Sequence, residues 1–565
     1  MRGDVAELPA ARVRATIARL WLRDDDGHGR PPAARARGEQ DAATRTLGSI
    51  TLRSHQADAA RRLARALDDF GGALLADEVG LGKTYTALAV ARSASRPLVV
   101  APAALRDMWR AALDATGVRA PIVSFERLSR TGDTLPPPTR DAPCNLVVVD
   151  EAHHARNPAT RRYRALARLA EHARVLLLSA TPIHNRRADL DALLALFLGG
   201  RSRTLGDRDL ARVVVRRGPS TLDARDDGAA PLPSVAPLRW LRPPADDSVL
   251  DTLLSLPPPL PPRDSGDGGA LVVHGLVRQW ASSDAALRAA VARRLAVCTA
   301  LADALARGRH PTRADLGAWV AGPDAVQLAF AELLVEGAPL ARGDELLAAV
   351  REHERALREL DARLRASDAA ADDARASLLA GVVARHRGEK VVAFASYAET
   401  VTALFRRLRH ATRVAALTGG GAVVAGGRIP RREALARFAP VASGAPPPRE
   451  AERVELLLAT DLLSEGVNLQ DASVVVHLDL PWTEARLAQR VGRAARLGAR
   501  HRKVAVYALA PPATAERILE VEARLREKAR VAGVAIGPMT GPSFPGASTE
   551  TVRSGPGDAE RTREV

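Results

Sequence analysis

The sequence predicts an α/β protein of two parallel-sheet lobes with a helical insert between them. Short, continuously apolar runs recur at 73–76, 98–101, 122–125, 146–149 and 175–178. A second series follows at 391–394, 414–417, 454–459, 474–478 and 504–509, again with helical stretches between the runs. Unbroken apolar runs, rather than alternation, are what strands buried on both faces require, as in a parallel sheet covered by helices. Strands that alternate with helices along the chain build α/β units. Between the two series, residues 283–380 are rich in Ala, Leu, Arg and Glu and read as helices. A chain of 565 residues is also too long for one domain at about 100–200 residues each.

Taken in order, residues 1–50 mix Arg, Asp and Gly and read as an arm with one short helix at 13–22. Residues 51–217 form the first lobe. Residues 218–384 are a linker and insert. The stretch 219–269 is rich in Pro, Gly and Asp, which cannot continue a helix or a central strand. Further on, Val350, Leu357 and Leu364 fall seven apart, with Leu346 and Leu360 nearby. That spacing suits a helical pair or short antiparallel protrusion, and equally one apolar stripe packed on the body. Residues 385–515 form the second lobe, with 419–427 as a flexible Gly-rich loop. Residues 516–565 read as a helix and then, after about residue 532, a tail too polar to fold.

Composition excludes several classes. Hydrophobic residues at 46% and charged ones at 26% rule out a collagenous, wholly disordered or membrane-embedded chain. No run approaches the about 18–20 apolar residues of a membrane span, and the start lacks a secretory pattern. Two cysteines, Cys144 and Cys298, cannot make a disulfide framework or a Cys-rich zinc site. A reducing, cytoplasmic setting is expected, with no membrane partner. Eighty-two Lys+Arg against 66 Asp+Glu leave a net charge of +16, which fits a polyanion partner, nucleic acid first. Only four of the 82 are lysines, Lys83, Lys390, Lys503 and Lys528. An Arg-favouring coding bias of bacterial type explains that, so position matters more than abundance.

The most informative stretch is Leu74-Leu75-Ala76-Asp77-Glu78-Val79-Gly80-Leu81-Gly82-Lys83-Thr84, after a predicted strand and before a predicted helix at 85–94. Glycines let backbone N–H groups turn inward around phosphate oxygens, and the new helix adds its positive end. Lys83 can then reach the β- and γ-phosphates, and the Thr84 hydroxyl can ligate Mg²⁺. The general pattern asks for Gly where Asp77 stands.

Sixty-seven residues after Lys83, the apolar run Leu146-Val147-Val148-Val149 ends in Asp150-Glu151-Ala152-His153. Two carboxylates at a strand's carboxyl end sit where ligands of open α/β sheets collect. Asp150 would hold Mg²⁺, and Glu151 would orient and deprotonate an attacking water. The pair could instead cap a helix. His154 reads as a surface histidine. The small hydroxyls of Leu178-Ser179-Ala180-Thr181-Pro182 can hydrogen-bond the acid pair.

These segments together resemble the superfamily-two helicase-like ATPases, whose two RecA-like lobes, of P-loop NTPase fold, clamp ATP. The loop Asp77-Glu78-Val79-Gly80-Leu81-Gly82-Lys83-Thr84 is most similar to the Swi/Snf-type branch, which carries Asp at its first position. Leu52-Arg53-Ser54-His55-Gln56 resembles the family's adenine-reading motif. Val99-Val100-Ala101-Pro102 and Ser124-Phe125-Glu126-Arg127-Leu128 resemble segments that touch the nucleic-acid backbone. Val213-Val214-Val215-Arg216-Arg217 resembles the branch's double-Arg segment. In the second lobe, Lys390–Tyr397 resembles the opening strand and Leu458–Leu469 the coupling motif. Gln489-Arg490-Val491-Gly492-Arg493-Ala494-Ala495-Arg496 resembles the arginine-finger motif.

The resemblance implies a site in which Gln56, Asp77, Glu78, Gly80, Gly82, Lys83, Thr84 and Gln489 bind ATP. Thr84 and Asp150 would hold Mg²⁺, and Lys83, Asp150, Glu151, Arg493 and Arg496 would carry catalysis. On a helix, Arg493 and Arg496 would share a face. Where the branch commonly has Gln, this chain has Ala499.

The function expected is an ATP-driven motor that tracks double-stranded DNA by its backbone phosphates and displaces bound protein. Seven Lys and Arg with no acid between Arg486 and Lys503 are divided between ATP chemistry and phosphate contacts. Aromatics at 3% are few for stacking on single strands, and Trp109 and Trp482 read as packing. The helical insert is a candidate surface for a protein partner. The alternatives are a strand-separating DNA or RNA helicase, and a nucleic-acid-binding scaffold with weak turnover.

Overall fold

The structure is a computed structural model that describes residues 45–130, 144–180, 187–218, 232–244, 246–259, 268–309, 343–366, 370–461, 467–481, 484–496 and 498–519. The expected helix at 13–22, the segment Thr181-Pro182, Trp482, part of the coupling motif (462–466) and the tail lie outside these residues.

The first lobe is one parallel sheet. Its strands are β1 (Gly72–Leu75), β2 (Pro97–Ala101), β3 (Ile122–Ser124), β4 (Leu146–Val149), β5 (Arg174–Leu178) and β6 (Val214–Val215). Their spatial order is β3-β2-β4-β5-β1-β6, and every pairing is parallel. The β1 and β4 residues are all buried, the reason their sequences are apolar without alternation. Helix α1 (Ser54–Phe70) buries Ala59, Leu63, Ala66, Leu67 and Phe70, one face at helical spacing, and stops at Gly71, whose φ of 74° suits glycine. Helices α2 (Lys83–Ala91) and α3 (Arg106–Thr116) follow β1 and β2.

The second lobe draws on residues from both sides of the insert. Residues 219–269 were expected to hold no central strand, and the strand they do contain, β7 (Ser234–Leu241), lies at the edge of the second sheet, parallel to the last strand. The register slips there: Val504 faces Val235 but Val506 faces Leu238. The extra residue is a bulge that takes up Pro237, and edges and bulges are where a strand tolerates proline. The chain then forms α4 (Gly268–Ser282), α5 (Asp284–Ala306), α6 (Gly343–Ala366) and α7 (Ala370–Arg385).

From there β8 (Val391–Ala395), helix α8 (Ala398–Leu408), β9 (Val414–Thr418), β10 (Gly421–Val424), β11 (Gly427–Ile429), β12 (Leu456–Thr460), β13 (Val474–His477), helix α9 (Glu484–Val491), β14 (Lys503–Leu509) and helix α10 (Ala513–Leu519) complete the lobe. The sheet order is β11-β10-β9-β12-β8-β13-β14-β7. The stretch expected as a flexible Gly-rich loop is instead the antiparallel hairpin β10–β11. Gly421 and Gly427 take φ of 112° and 121° at its ends, and Ala422 is buried against the core.

In the insert, Leu346, Val350, Leu357, Leu360 and Leu364 of α6 are buried in one cluster with Leu287, Val291 and Leu301 of α5. The seven-residue spacing is therefore the seam of a helical pair. The same cluster contains Leu487 of α9 and Leu519 of α10, so the pair is continuous with the second lobe. Truncating fully buried Leu357 to Ala is expected to cost about 2–5 kcal/mol, measured as a lower urea midpoint with unchanged far-ultraviolet circular dichroism at zero urea.

Candidate active site

The carboxyl ends of β1 and β4 and the chain after α9 meet at one place. The loop 76–82 leaves β1 still following the chain beside β6: Ala76 N–H donates to Val215 O at 2.7 Å and Glu78 N–H to Arg217 O at 3.0 Å. The Asp77 side chain, fully buried, accepts from the Arg217 guanidinium through Nε at 3.2 Å and through a second, closer nitrogen. A buried carboxylate needs such a partner. This pair is the local reason for Asp in place of Gly. Gly80 and Gly82 have φ of 92° and 78°, a region only glycine enters freely. Helix α2 starts at Lys83, two residues earlier than predicted.

Lys83 Nζ donates to the carbonyl oxygens of Asp77 (2.8 Å) and Glu78 (3.1 Å). Burial lowers its pKa, while Glu151, Asp77 and Asp150 draw it back up. Thr84 Oγ1 lies 3.9 Å from Met108 Sδ. Gln56 is buried beneath the loop, accepting from Arg53 N–H at 3.0 Å and donating to Leu81 O at 3.2 Å. Both ends of its amide are bound to protein here, so its geometry is that of a brace for the loop.

Asp150 Oδ1 accepts from Glu151 N–H and Oδ2 from Trp109 Nε1–H, each at 2.9 Å. Burial and the adjacent Glu151 push the Asp150 pKa up. For Glu151, burial is outweighed by His153, Lys83 and Arg493, which hold its pKa down. Its φ is 47°, the one positive value at a non-glycine residue among the described residues. Strain of that kind collects at functional sites. His153 Nδ1 lies 3.3 Å from Glu151 Oε2 and 3.4 Å from Ser179 Oγ, so Ser179 reaches the acid pair through His153. His154 is no surface residue. Its ring stacks on His153 at 4.6 Å, and burial with His153 lowers its pKa to about 3.

Arg493 and Arg496 do not share a helix face, because α9 ends at Val491. They sit in the turn after it, held by Ala494 and Ala495 N–H donating to Val491 O at 3.0 and 2.8 Å. The turn still brings both to the site: the charge of Arg493 acts on Glu151, and that of Arg496 on Lys83. Burial, with Arg493 alongside, lowers the Arg496 pKa to about 10. Backbones of the two lobes touch here. A Cβ on Gly80 would meet Ala495 O at 3.0 Å, and one on Gly492 would meet Val79 Cγ1 at 2.6 Å. Gln489 is half-buried on α9.

Sequence reasoning missed three positions. Trp109 is packed, as expected, but its N–H also orients Asp150. Arg217 was seen without its partner. Arg490, fully buried, donates from Nε and NH2 to Asp461 (2.6 and 2.8 Å), from NH1 to Asp479 O (2.8 Å) and from NH2 to Asp479 Oδ1 (3.2 Å). The basic run also divides: Arg490 and Arg493 are buried and Arg496 half-buried, while Arg500, Arg502 and Lys503 are exposed at the opposite edge of the sheet, where β14 begins.

Fold and site together define two RecA-like lobes of P-loop NTPase type. Residues 115–205 match the SNF2-related domain family and residues 374–498 the helicase conserved C-terminal domain family. An uncharacterized ATP-dependent helicase, YqhH, of Bacillus subtilis is 30% identical over 32% of this chain and 35% of its own length. A SWI/SNF-related matrix-associated actin-dependent regulator of chromatin subfamily A-like protein 1 of Bos taurus is 36% identical over 22% of this chain and 15% of its own length. The RNA polymerase-associated protein RapA of Cronobacter sakazakii is 34% identical over 23% and 12%. The matched stretch thus spans about a third or less of these relatives. An SNF2-related domain followed by a helicase C-terminal domain is consistent with a Swi/Snf-type superfamily-two helicase-like protein.

Two outcomes follow from the geometry. Arg217→Leu leaves Asp77 buried and unpaired and should destabilise the first lobe by about 3–5 kcal/mol, read by thermal or urea unfolding. Gly492→Ala should force the lobes apart, seen as a larger radius of gyration by small-angle scattering, and Val79→Gly in the same chain, which removes both clashing carbons, should restore the compact value.

Proposed function

We propose that the chain is an ATP-hydrolysing motor that translocates along double-stranded DNA and displaces bound protein. The observation that carries it is the convergence of Lys83, Asp150 and Glu151 with Arg493 and Arg496 across the two lobes. The residues fit a nucleoside triphosphate with Mg²⁺. Gly80 and Gly82 take the positive φ values of 92° and 78° that a phosphate-wrapping loop requires, and the Lys83 ammonium is buried against neutral carbonyls, a setting a polyphosphate improves. Asp150 keeps acceptor capacity beyond its two N–H bonds. Two protein oxygens, from Thr84 and Asp150, match the sparse protein ligation of phosphate-bound Mg²⁺.

Bound ATP·Mg²⁺ supplies the anhydride to be cleaved and its polarisation. Lys83 and the N–H groups that open α2 hold the phosphates. Gln56 sets the loop from below, and its adenine contact belongs to the same proposal. Glu151, ionised because its pKa is held down, accepts the proton of the attacking water, with His153 and Ser179 fixing its orientation. Arg493 and Arg496 neutralise the developing charge from the other lobe. Departure of the cleaved phosphate removes that charge and gives the second lobe its reason to withdraw.

Duplex tracking is supported by exposed arginines at the carboxyl edge of both sheets. Arg106, Arg127 and Arg130 follow β2 and β3, and Arg428 and Arg432 flank the end of β11. Phosphate contacts of this kind hold a backbone without reading sequence. The chromatin and RNA polymerase relatives make protein on DNA the reasonable obstacle, with the insert as the surface for a protein partner and a bacterial cytoplasm as the setting.

Lys83→Ala and Glu151→Gln should each abolish ATP turnover, and Arg493→Ala should lower kcat by about 10³–10⁵ by analogy with arginine fingers. Duplex DNA should stimulate the rate more than single-stranded DNA or RNA. A triplex should be displaced while a forked duplex stays paired. Unwinding of the fork would favour the strand-separating reading, and an unstimulated, mutation-insensitive rate the scaffold.

A further inference from the structure

The insert reaches the arginine turn through a chain of buried polar groups. At the junction of α4 and α5 stand Ser282 and Ser283, both fully buried. Ser282 Oγ donates to Asp479 Oδ2 at 2.7 Å, and both serine hydroxyls lie within 2.7–2.8 Å of the Thr400 hydroxyl at the start of α8. Ser283 also caps α5, accepting from Ala286 N–H at 3.0 Å. Asp479 follows β13 and takes three further bonds from Ser396, two from its N–H (2.8 and 3.0 Å) and one from its hydroxyl (2.9 Å). Asp479 and Asp461 together hold Arg490. The next three residues of the chain lead to Arg493, whose N–H returns to Arg490 O at 3.4 Å.

We propose that the insert, through Ser282 and Asp479, positions Arg493 and Arg496 for turnover. The inference rests on the ATPase reading of the same site. Ser282, Ser283, Thr400, Asp479 and Arg490 are buried and Ser396 and Asp461 half-buried, all of them hydrogen-bonded, and such networks are rigid and costly to break piecemeal. Helix α4, which ends at Ser282, shares one apolar cluster with the α5–α6 pair and with Leu487 of α9. A shift at the α4–α5 junction is therefore passed to the end of α9, where the turn begins. Ser282 touches neither phosphate nor water. It is a positioning residue, and its loss should reduce catalysis while leaving the lobe-one contacts to nucleotide intact.

The test is steady-state ATPase of the full chain beside equilibrium binding of a fluorescent, non-hydrolysable ATP analogue. Ser282→Ala should lower kcat by about ten- to a hundredfold, the scale of a small misplacement of catalytic groups, with KM and analogue affinity within twofold of wild type. Asp479→Asn keeps the shape but weakens the hold on Arg490, and should do the same. It serves if Ser282→Ala does not fold. Wild-type kcat in either folded variant overturns the proposal, as does a loss of analogue binding equal to the loss of kcat. Lys83→Ala is the control: a wild-type chain that hydrolyses no more ATP than this variant defeats the ATPase reading itself. A hydrolysing wild type with an unaffected Ser282→Ala defeats only the role of the insert.

Discussion

The site depends on the close contact between the tip of the phosphate loop and the turn after α9. Val79 occupies the space that a side chain at Gly492 would need, and the Gly80 backbone lies against Ala495 and Arg496. Lys83, Asp150 and Glu151 are buried beside this contact. Lys83, Arg493 and Arg496 then act on Asp150 and Glu151 in a medium where charges interact far more strongly than in solvent. Separation of the lobes by a few ångströms would hydrate all five groups and remove most of that interaction. In the proposed ATPase reading, the chemistry is thus conditional on closure.

Concentrating charge in this way has a cost that the fold meets with fixed partners. Each buried arginine has a separate task. Arg217 neutralises Asp77 and ties the loop to the last strand of lobe one. Arg490 is held between Asp461 and Asp479 and anchors the end of α9. Arg496 is held by Asn468 of its own lobe, and the charges of Arg493 and Arg496 act on Glu151 and Asp150. Structural arginines satisfied within one lobe let the inter-lobe pair change partners without unravelling either sheet.

Much of this was legible from the chain. All ten apolar runs are strands to within two residues at either end, because a strand buried on both faces leaves few alternatives for its composition. The loop was legible because glycines, a lysine and a hydroxyl at fixed spacing serve few other purposes. What stayed hidden depends on distance in sequence. Asp77 and Arg217 are 140 residues apart, Trp109 and Asp150 are 41, and no local pattern joins them. One error came from reading composition as conformation: the glycines at 419–427 sit at the turns of a hairpin whose Ala422 is core. The prolines of 219–269 did exclude a central strand, but composition could not show the edge strand that takes Pro237 into a bulge. Spacing three apart placed Arg493 and Arg496 on a helix, but Gly492 ends it, and the turn aims them instead.

The insert is part of the second lobe and not an addition to it. Strand β7 covers β14, the α5–α6 core runs on into α9 and α10, and α7 packs beneath α8. A lobe cut at residue 385 would expose the β14 edge and leave Asp479 without Ser282. The chain leaves lobe one just after Arg217, the partner of Asp77, and re-enters the described residues at β7, which pairs with β14. Lobe one thus ends at the residue that fixes its loop, and lobe two starts with the strand that closes its sheet edge.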